Sequence, residues 1–557
     1  MEAAGVLKSR GLVLALGVGA LPALLAWRLG DGFLTTYDLL SALAVAPLAL
    51  LLARIVPALP VQRGGSPLWL ALAVAALVAG AGHLRLPTTV TNDERAVLFQ
   101  AELFAGGQLD QPLGHRAYQD PVAHCPTHRR QVYEDPARGV RYSKYPPGAS
   151  LFLAPFTAAG SPAAGSLFAG LLSVVLVLRL ARRFGLSVPA WAPVLLATTP
   201  FFLLVQGSFQ SEVYTLPAAL LGFLFLLRLR DRDGRPWANG LGLGAAAGWI
   251  FLCRPLTGVV FALACLPGLL RRGPGHPAPG PRATAFAVLG GLPFLACALL
   301  YNHLQTGDWL LSPYQAYARD FGPFFAPGSP RAGQPMDVYG NGDLLTGLLR
   351  QGGRWSVALF GCLGAAALGF WGLGRSRRRD GGSGLAFAAL LPLAYAFHWY
   401  PGHWAYHGPL YLYETLGLLL IGALALLDDA PPRWRRALPL AAVIAGPVLF
   451  LWRFQIVEDQ ANLRARPQLA AAEAPHGSVI LYSRPLVPSP PPDEDPGKLY
   501  TPSLPPFADG QTVFLRELRT PQKTLEALRE LGLAGRPVFR FLPGDLAEFD
   551  RLQPYTP

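Results

Sequence analysis

Asp93 and Glu94 are the first residues of this chain whose types and spacing could do chemistry. They stand in Thr91-Asn92-Asp93-Glu94-Arg95, ahead of an apolar run that closes on Gly106-Gly107. Thr91 and Glu94 have the spacing of a capping box, which accounts for the glutamate and predicts a helix of about three turns. Asp93 has no structural duty there beyond favouring the positive end of that helix. A carboxylate on a short helix lying across a membrane surface can serve as general base toward an attacking hydroxyl. Glu94 is its neighbour and the second candidate.

Cations follow in Arg141-Tyr142-Ser143-Lys144-Tyr145-Pro146-Pro147-Gly148. The prolines hold this stretch extended and forbid helix until after Gly148. Arg141, Lys144 and Tyr145 are then fixed at a lipid–water boundary, as an interface anchor or as a clamp on a lipid phosphate. Composition leaves both open. Further polar groups recur at membrane depth: Glu212 in 206–214, Asn302 and Tyr314 in 301–317, His403 and His407 in 398–409, and Glu414. Arg254 stands out, because a charge inside an apolar stretch is costly and tends to face a cavity or a partner. Four of the five cysteines lie in apolar segments and read as small core residues. His115, His124, Cys125 and His128 share a polar loop whose spacing matches no standard zinc pattern.

The elements that must position these groups are membrane helices. Only 15% of the 557 residues are charged, and mean hydropathy is +0.33. So few charges cannot cover the aqueous surface of a soluble protein of this length. The net charge of +13 sits in short arginine clusters between apolar runs, where the positive-inside rule expects it, not on a nucleic-acid face. Runs long enough to span a bilayer lie near 11–30, 38–57, 67–84, 163–180, 189–207, 214–227, 284–301, 355–373, 384–399, 410–427 and 437–453. The stretch 239–270, with Arg254-Pro255 at its middle, reads as a hairpin of two short helices. That hairpin puts the arginine clusters at 54–63, 179–183, 228–235, 271–272, 375–379 and 433–436 on the same side as Lys8. The segments 85–147, 208–213, 302–353, 400–409 and 454–557 then face outward. The expected fold is an all-α polytopic membrane protein of about 11–13 transmembrane helices over 1–453, with a small extracytoplasmic α/β domain at 454–557. Strands are expected at 478–482, 512–515 and 537–541, with a helix at 522–531.

Several of these segments, in order, resemble the GT-C superfamily, and more narrowly bacterial relatives of the dolichyl-phosphate-mannose protein mannosyltransferases. They are the acidic pair in the first outer loop, Tyr142-Ser143-Lys144-Tyr145-Pro146-Pro147-Gly148, Cys253-Arg254-Pro255, Tyr301-Asn302 with Thr306-Gly307-Asp308, and Ser312-Pro313-Tyr314. Relatives often carry Gly-Pro-Arg-Tyr before a late span, where this chain reads Gly408-Pro409-Leu410-Tyr411. The resemblance implies an inverting glycosyltransferase with Asp93 as base and a polyprenyl-phosphate-linked sugar as donor. It implies a multi-pass protein of the bacterial inner membrane, with site and C-terminus on the periplasmic side. The acceptor would be a protein, lipid A or a glycan; no nucleic acid is a partner. The chemistry requires no cofactor and leaves room for a divalent metal. Two other functions fit polar groups at membrane depth: a lipid or solute transporter, and a non-catalytic envelope assembly protein.

Overall fold

The computed structural model describes residues 51, 75, 86, 89–112, 132–135, 137–270, 279–321, 365–376, 381–396, 408, 410–482, 510, 512–517, 520–542 and 551–556. Apart from residues 51 and 75, the runs at 11–30, 38–57 and 67–84 lie outside the described residues, as do the loop holding His115 to His128, and His403 and His407. Contacts divide the chain into two compact units, 1–83 with 146–456, and 84–145 with 457–557. The outer-loop residues 84–145 fall in the same unit as the tail.

In the loop, α1 (Asn92–Ala105) begins on the expected capping box. Thr91 Oγ1 accepts the Glu94 N–H while the Glu94 carboxylate takes the N–H of Thr91 at 2.8 Å. At 14 residues it runs nearly four turns, one more than expected. It ends at Gly106, with Gly107 in the left-handed region. Its apolar face, Ala96, Phe99 and Leu103, packs on Val132. That valine opens β2 (Val132–Asp135), which pairs antiparallel with β3 (Val140–Ser143), and β3 pairs in turn with the short β1 (Gln111–Pro112). This sheet was not expected, because strands of two to four residues carry too little alternation to see.

The helical unit runs α2 (Gly148–Ala158), α3 (Pro162–Arg183), α4 (Trp191–Thr198), α5 (Pro200–Gln206), α6 (Glu212–Arg230), α7 (Pro236–Cys253), α8 (Pro255–Leu270), α9 (Pro281–Thr306), α10 (Pro313–Phe321), α11 (Ala365–Arg375), α12 (Gly381–Ala396), a 3-10 turn (Leu410–Thr415) into α13 (Leu416–Asp428), and α14 (Pro432–Ala471). Five segments among the described residues are long and apolar enough to cross a membrane: Pro162–Arg183, Glu212–Arg230, Pro281–Thr306, Leu410–Asp428 and Trp434–Asp459. The run expected at 189–207 is two helices. Pro200 has no N–H to continue the ladder, and Thr199 before it is extended at ψ 123°.

The 239–270 hairpin is present, broken at Arg254 (φ −147°, ψ 89°) with Pro255 opening the second helix. Gly240, Gly244 and Gly248, four apart on α7, meet Ala283, Ala287 and Phe294 in ascending order on α9. The two helices therefore run parallel and close together, and α8 between them must return the chain. Phe261 of α8 packs edge-on against Phe223 of α6 and Phe387 of α12, at 5.2 and 5.4 Å between ring centroids. This aromatic knot ties the hairpin to its neighbours.

In the tail, β4 (Val479–Tyr482) lies parallel between β5 (Val513–Arg516) and β6 (Val538–Leu542), and β7 (Arg551–Pro554) closes the edge antiparallel to β6. The helix α15 (Pro521–Glu530) connects β5 to β6 and sets Leu528 against Val479, Leu481, Val513 and Leu515. Ile480, Phe514 and Phe541 occupy the opposite face, as strand alternation requires. β7 was not expected, since Arg-Leu-Gln-Pro reads as turn and its proline confines it to an edge.

Candidate active site

Arg254 occupies the break between α7 and α8, where its backbone leaves helical geometry and its side chain turns inward. Its guanidinium is ion-paired with Glu212 at the start of α6 and, through Nε at 3.3 Å, with Glu414 in the 3-10 turn. It donates to the Tyr395 hydroxyl at 2.7 Å and to Ser211 Oγ at 3.2 Å. The rings of Tyr395 and Tyr411 stack on each other at 4.5 Å, and the guanidinium lies 5.4 and 5.2 Å from their centroids. Side-chain exposure is 10% for Arg254, 1% for Glu212 and 0% for Glu414. Arg254 is therefore no interfacial anchor reaching for water. It is the hub on which α6, the hairpin tip, α12 and the 3-10 turn converge.

Thr215 Oγ1 donates to Glu414 Oε1 at 2.9 Å, and Thr257 Oγ1 lies 3.0 Å from the Tyr395 hydroxyl. Glu414 Oε2 is buried with no hydrogen-bond partner among the described residues. Tyr395 and Thr257 were missed in the sequence, and nothing there could have found them: both sit in apolar runs that explain a tyrosine or threonine as packing. Leu410, where relatives often carry arginine, is buried at 3% exposure, and the ring one residue on, Tyr411, covers Arg254.

Beneath this cluster a second buried network holds the 206–214 stretch in place. Gln206 donates to the Ser166 carbonyl and accepts from the Tyr413 hydroxyl at 3.3 Å. Ser166 Oγ in turn lies 3.0 Å from the Tyr214 hydroxyl and donates to the Ser208 carbonyl.

In the loop, the carboxylate Oε2 of Glu94 accepts from the N–H of Val90, the N–H of Thr91 and the hydroxyl of Thr91 at 2.8 to 3.1 Å. That oxygen is committed to starting α1. Asp93, one residue earlier on the same turn, is only half-buried. Arg141, on β3, is buried and forks onto the amide oxygen of Gln111 at 2.9 and 3.1 Å. Lys144, directly after β3, is 97% buried with its Nζ 5.2 Å from the Tyr145 ring centroid. Gln100, which the sequence reading passed over, fastens this strand to α1. Its amide oxygen accepts the Ser143 N–H at 2.9 Å and its amide Nε2 donates to the Leu109 carbonyl at 2.8 Å. Burial pushes the Tyr142 phenol well above its usual range, so it stays protonated and is no rival base.

Two other motifs prove to build local structure. Asn302 donates to the Trp309 carbonyl at 3.2 Å, and Thr306 Oγ1 to the Leu311 carbonyl at 2.8 Å. Both fold the chain back after Gly307, whose φ of 78° ends α9. Ser312 and Gln315 form a reciprocal cap on α10, which leaves Tyr314 on its first turn, half-buried. Among the described residues no group of three His, Cys, Asp or Glu could hold a metal ion.

The profile of the dolichyl-phosphate-mannose-protein mannosyltransferase family matches residues 146–277, a segment that contains Gly148, Glu212 and Arg254 but neither Asp93 nor Lys144. No curated protein matches the chain. Among solved structures it is similar to ArnT from Cupriavidus metallidurans bound to undecaprenyl phosphate. The TM-score is 0.52 at 14% identity, over 86% of this chain and 94% of that one. The apo form of the same protein gives 0.49 at 14% identity, over 86% and 93%. The chain has the fold of ArnT. The resemblance drawn from the sequence thus meets a profile match over 146–277 and a shared fold.

Proposed function

We propose that this chain is a multi-pass, inverting glycosyltransferase that moves a sugar from a polyprenyl-phosphate donor to an acceptor hydroxyl at the outer face of a bacterial inner membrane. One observation carries the reading: within the family-matched segment of a GT-C fold, a buried arginine is held at the end of a broken membrane hairpin. The donor class is suggested by ArnT, whose structure holds undecaprenyl phosphate. The periplasmic side is supported by the arginines at the C-terminal ends of α3 and α6 and the N-terminal end of α7, which the positive-inside rule assigns to the cytoplasm.

In the proposed step the acceptor oxygen attacks the anomeric carbon from the face opposite the phosphate. The new C–O bond forms as the bond to the phosphate oxygen breaks, and the hydroxyl proton passes to Asp93. The phosphate leaves as an anion and needs no proton, only neighbouring cations. Of Arg141, Lys144 and Arg254, Arg254 carries two carboxylate partners and Arg141 a neutral amide. All three are proposed to share leaving-group stabilisation, with Tyr145 beside Lys144. Glu94 is assigned to holding α1 in place, and Glu212 to holding Arg254. The remaining candidates, Asn302, Tyr314, His403 and His407, are proposed to line the donor and acceptor path. The transferred sugar is a hexose or pentose, and the acceptor is a hydroxyl of a protein, lipid A or a glycan. The scheme needs no metal, and a chelator arm tests that directly.

The test is reconstitution of the full chain with lipid-linked sugar donors and candidate acceptors. Release of polyprenyl phosphate together with a product of inverted anomeric configuration supports the reading. Movement of the lipid across the bilayer with its sugar intact would replace it with a transporter.

A further inference from the structure

At the far end of α6 from Glu212 the protein forms a recess of about 300 Å³ lined by Arg179, Arg182, Arg183, Leu224 and Arg228. Sixteen residues of helix separate Glu212 from Arg228, about 24 Å at 1.5 Å per residue, so the recess lies near the opposite membrane surface. Arg183 is ion-paired with Asp231 and Asp233. Among the described residues Arg179, Arg182 and Arg228 have no acidic partner. The helix C-termini, with roughly half a negative charge each, account for basic residues in the last turn. They do not account for Arg179, a full turn earlier, nor for four guanidiniums facing one concavity. After the aspartates and the helix ends are set against the arginines, about one positive charge remains, which suits a phosphodiester.

The approach to the recess identifies what brings that phosphate. Phe168, Leu172, Val175, Arg179 and Arg182 recur at steps of four, three, four and three along α3, which makes them one face of the helix. They are the exposed or half-buried residues of that face, Phe168 being 52% exposed. An apolar stripe open to lipid therefore ends on the arginines. We infer that this recess binds the phosphodiester headgroup of an anionic membrane lipid, whose acyl chain lies along the Phe168–Val175 stripe. A free phosphate would use the arginines and ignore the stripe.

The test is native mass spectrometry of the full-length protein, delipidated and exposed to mixed micelles of phosphatidylglycerol or phosphatidylcholine, with inorganic phosphate as competitor. Wild type should retain phosphatidylglycerol in preference to phosphatidylcholine, and inorganic phosphate should not displace it. The variant Arg179→Gln/Arg182→Gln/Arg228→Gln should bind it roughly a hundred-fold more weakly, from about five-fold per arginine. The corresponding Arg→Lys triple variant, which keeps the charge, should stay within about ten-fold of wild type. Arg375→Gln, which removes an exposed arginine paired with Asp429 elsewhere, should change nothing. Equal retention by the glutamine variant, or no preference between the two lipids in wild type, would overturn the proposal. Displacement by inorganic phosphate would make this a free-anion site and overturn it as well. Should the glutamine variant fail to fold, the wild-type lipid preference and the lysine variant decide the matter.

Discussion

Gly148 lies so close to the end of α7 that a β-carbon there would stand 2.6 Å from Cys253 Sγ and 2.8 Å from the Cys253 backbone nitrogen. The glycine that ends the Tyr-Pro-Pro-Gly turn and the residue before Arg254 are thus in direct contact. Two motifs far apart in sequence form one piece of structure. Gly148→Ala should force the backbone at Leu252–Cys253 to move, at a cost of about 1–3 kcal/mol. The expected result is a lower melting temperature together with a raised KM for donor. Gly382→Ala, at a helical glycine with open space around it, is the control and should be neutral.

The ion cluster makes a second prediction. Arg254→Leu leaves Glu212 and Glu414 buried without their cation, a loss on the order of 3–5 kcal/mol. Thermal melting in detergent should show a strongly destabilised protein. Adding Glu212→Gln and Glu414→Gln to that variant should restore much of the melting temperature while transfer stays absent. If the triple variant melts as low as Arg254→Leu alone, the charges are not what holds these helices together.

Gln100 offers a third. Gln100→Leu strands the Ser143 N–H and the Leu109 carbonyl, each worth about 1–3 kcal/mol if left buried and unpaired. Because the clamp ends one residue before Lys144, hydrogen exchange should rise across 140–145, and kcat should fall more than expression. Unchanged protection there would mean that β3 is held by its strand partners alone.

Local chemistry was legible in the sequence where the signal was local. The capping box of Thr91 and Glu94, the break at Arg254-Pro255 and three strands of the tail each depend on neighbours within a few residues. The partners of Arg254 were half legible. Glu212 and Glu414 stood out as charges at membrane depth, but Tyr395 lies 141 residues away in a run that packing explains. The Asn302 and Tyr314 motifs carry local structure that was not legible. Their hydrogen bonds close a turn and start a helix, work that their residue types disclose only when the backbone is seen.

The loop pair makes a fourth prediction, about structure alone. Thr91→Ala removes the acceptor for the Glu94 N–H and should cost about 0.5–2 kcal/mol of α1 stability. Amide exchange at residues 92–95 should accelerate, with the membrane helices unaffected. Uniform loss of protection across the chain would instead mean that α1 is needed for the whole fold.

The central claim is that Asp93 takes the acceptor's proton while Glu94 holds the helix that carries it. The most direct measurement is single-turnover transfer from a lipid-linked sugar by Asp93→Asn and Glu94→Gln, each with donor binding measured in parallel. Asparagine keeps the shape of Asp93 and removes the proton acceptor, so the rate should fall about 10²–10⁴-fold with donor affinity intact. Glutamine can still complete the cap with Thr91, so Glu94→Gln should stay close to wild type. Near-normal turnover by Asp93→Asn, or loss of turnover by Glu94→Gln alone, would contradict the account.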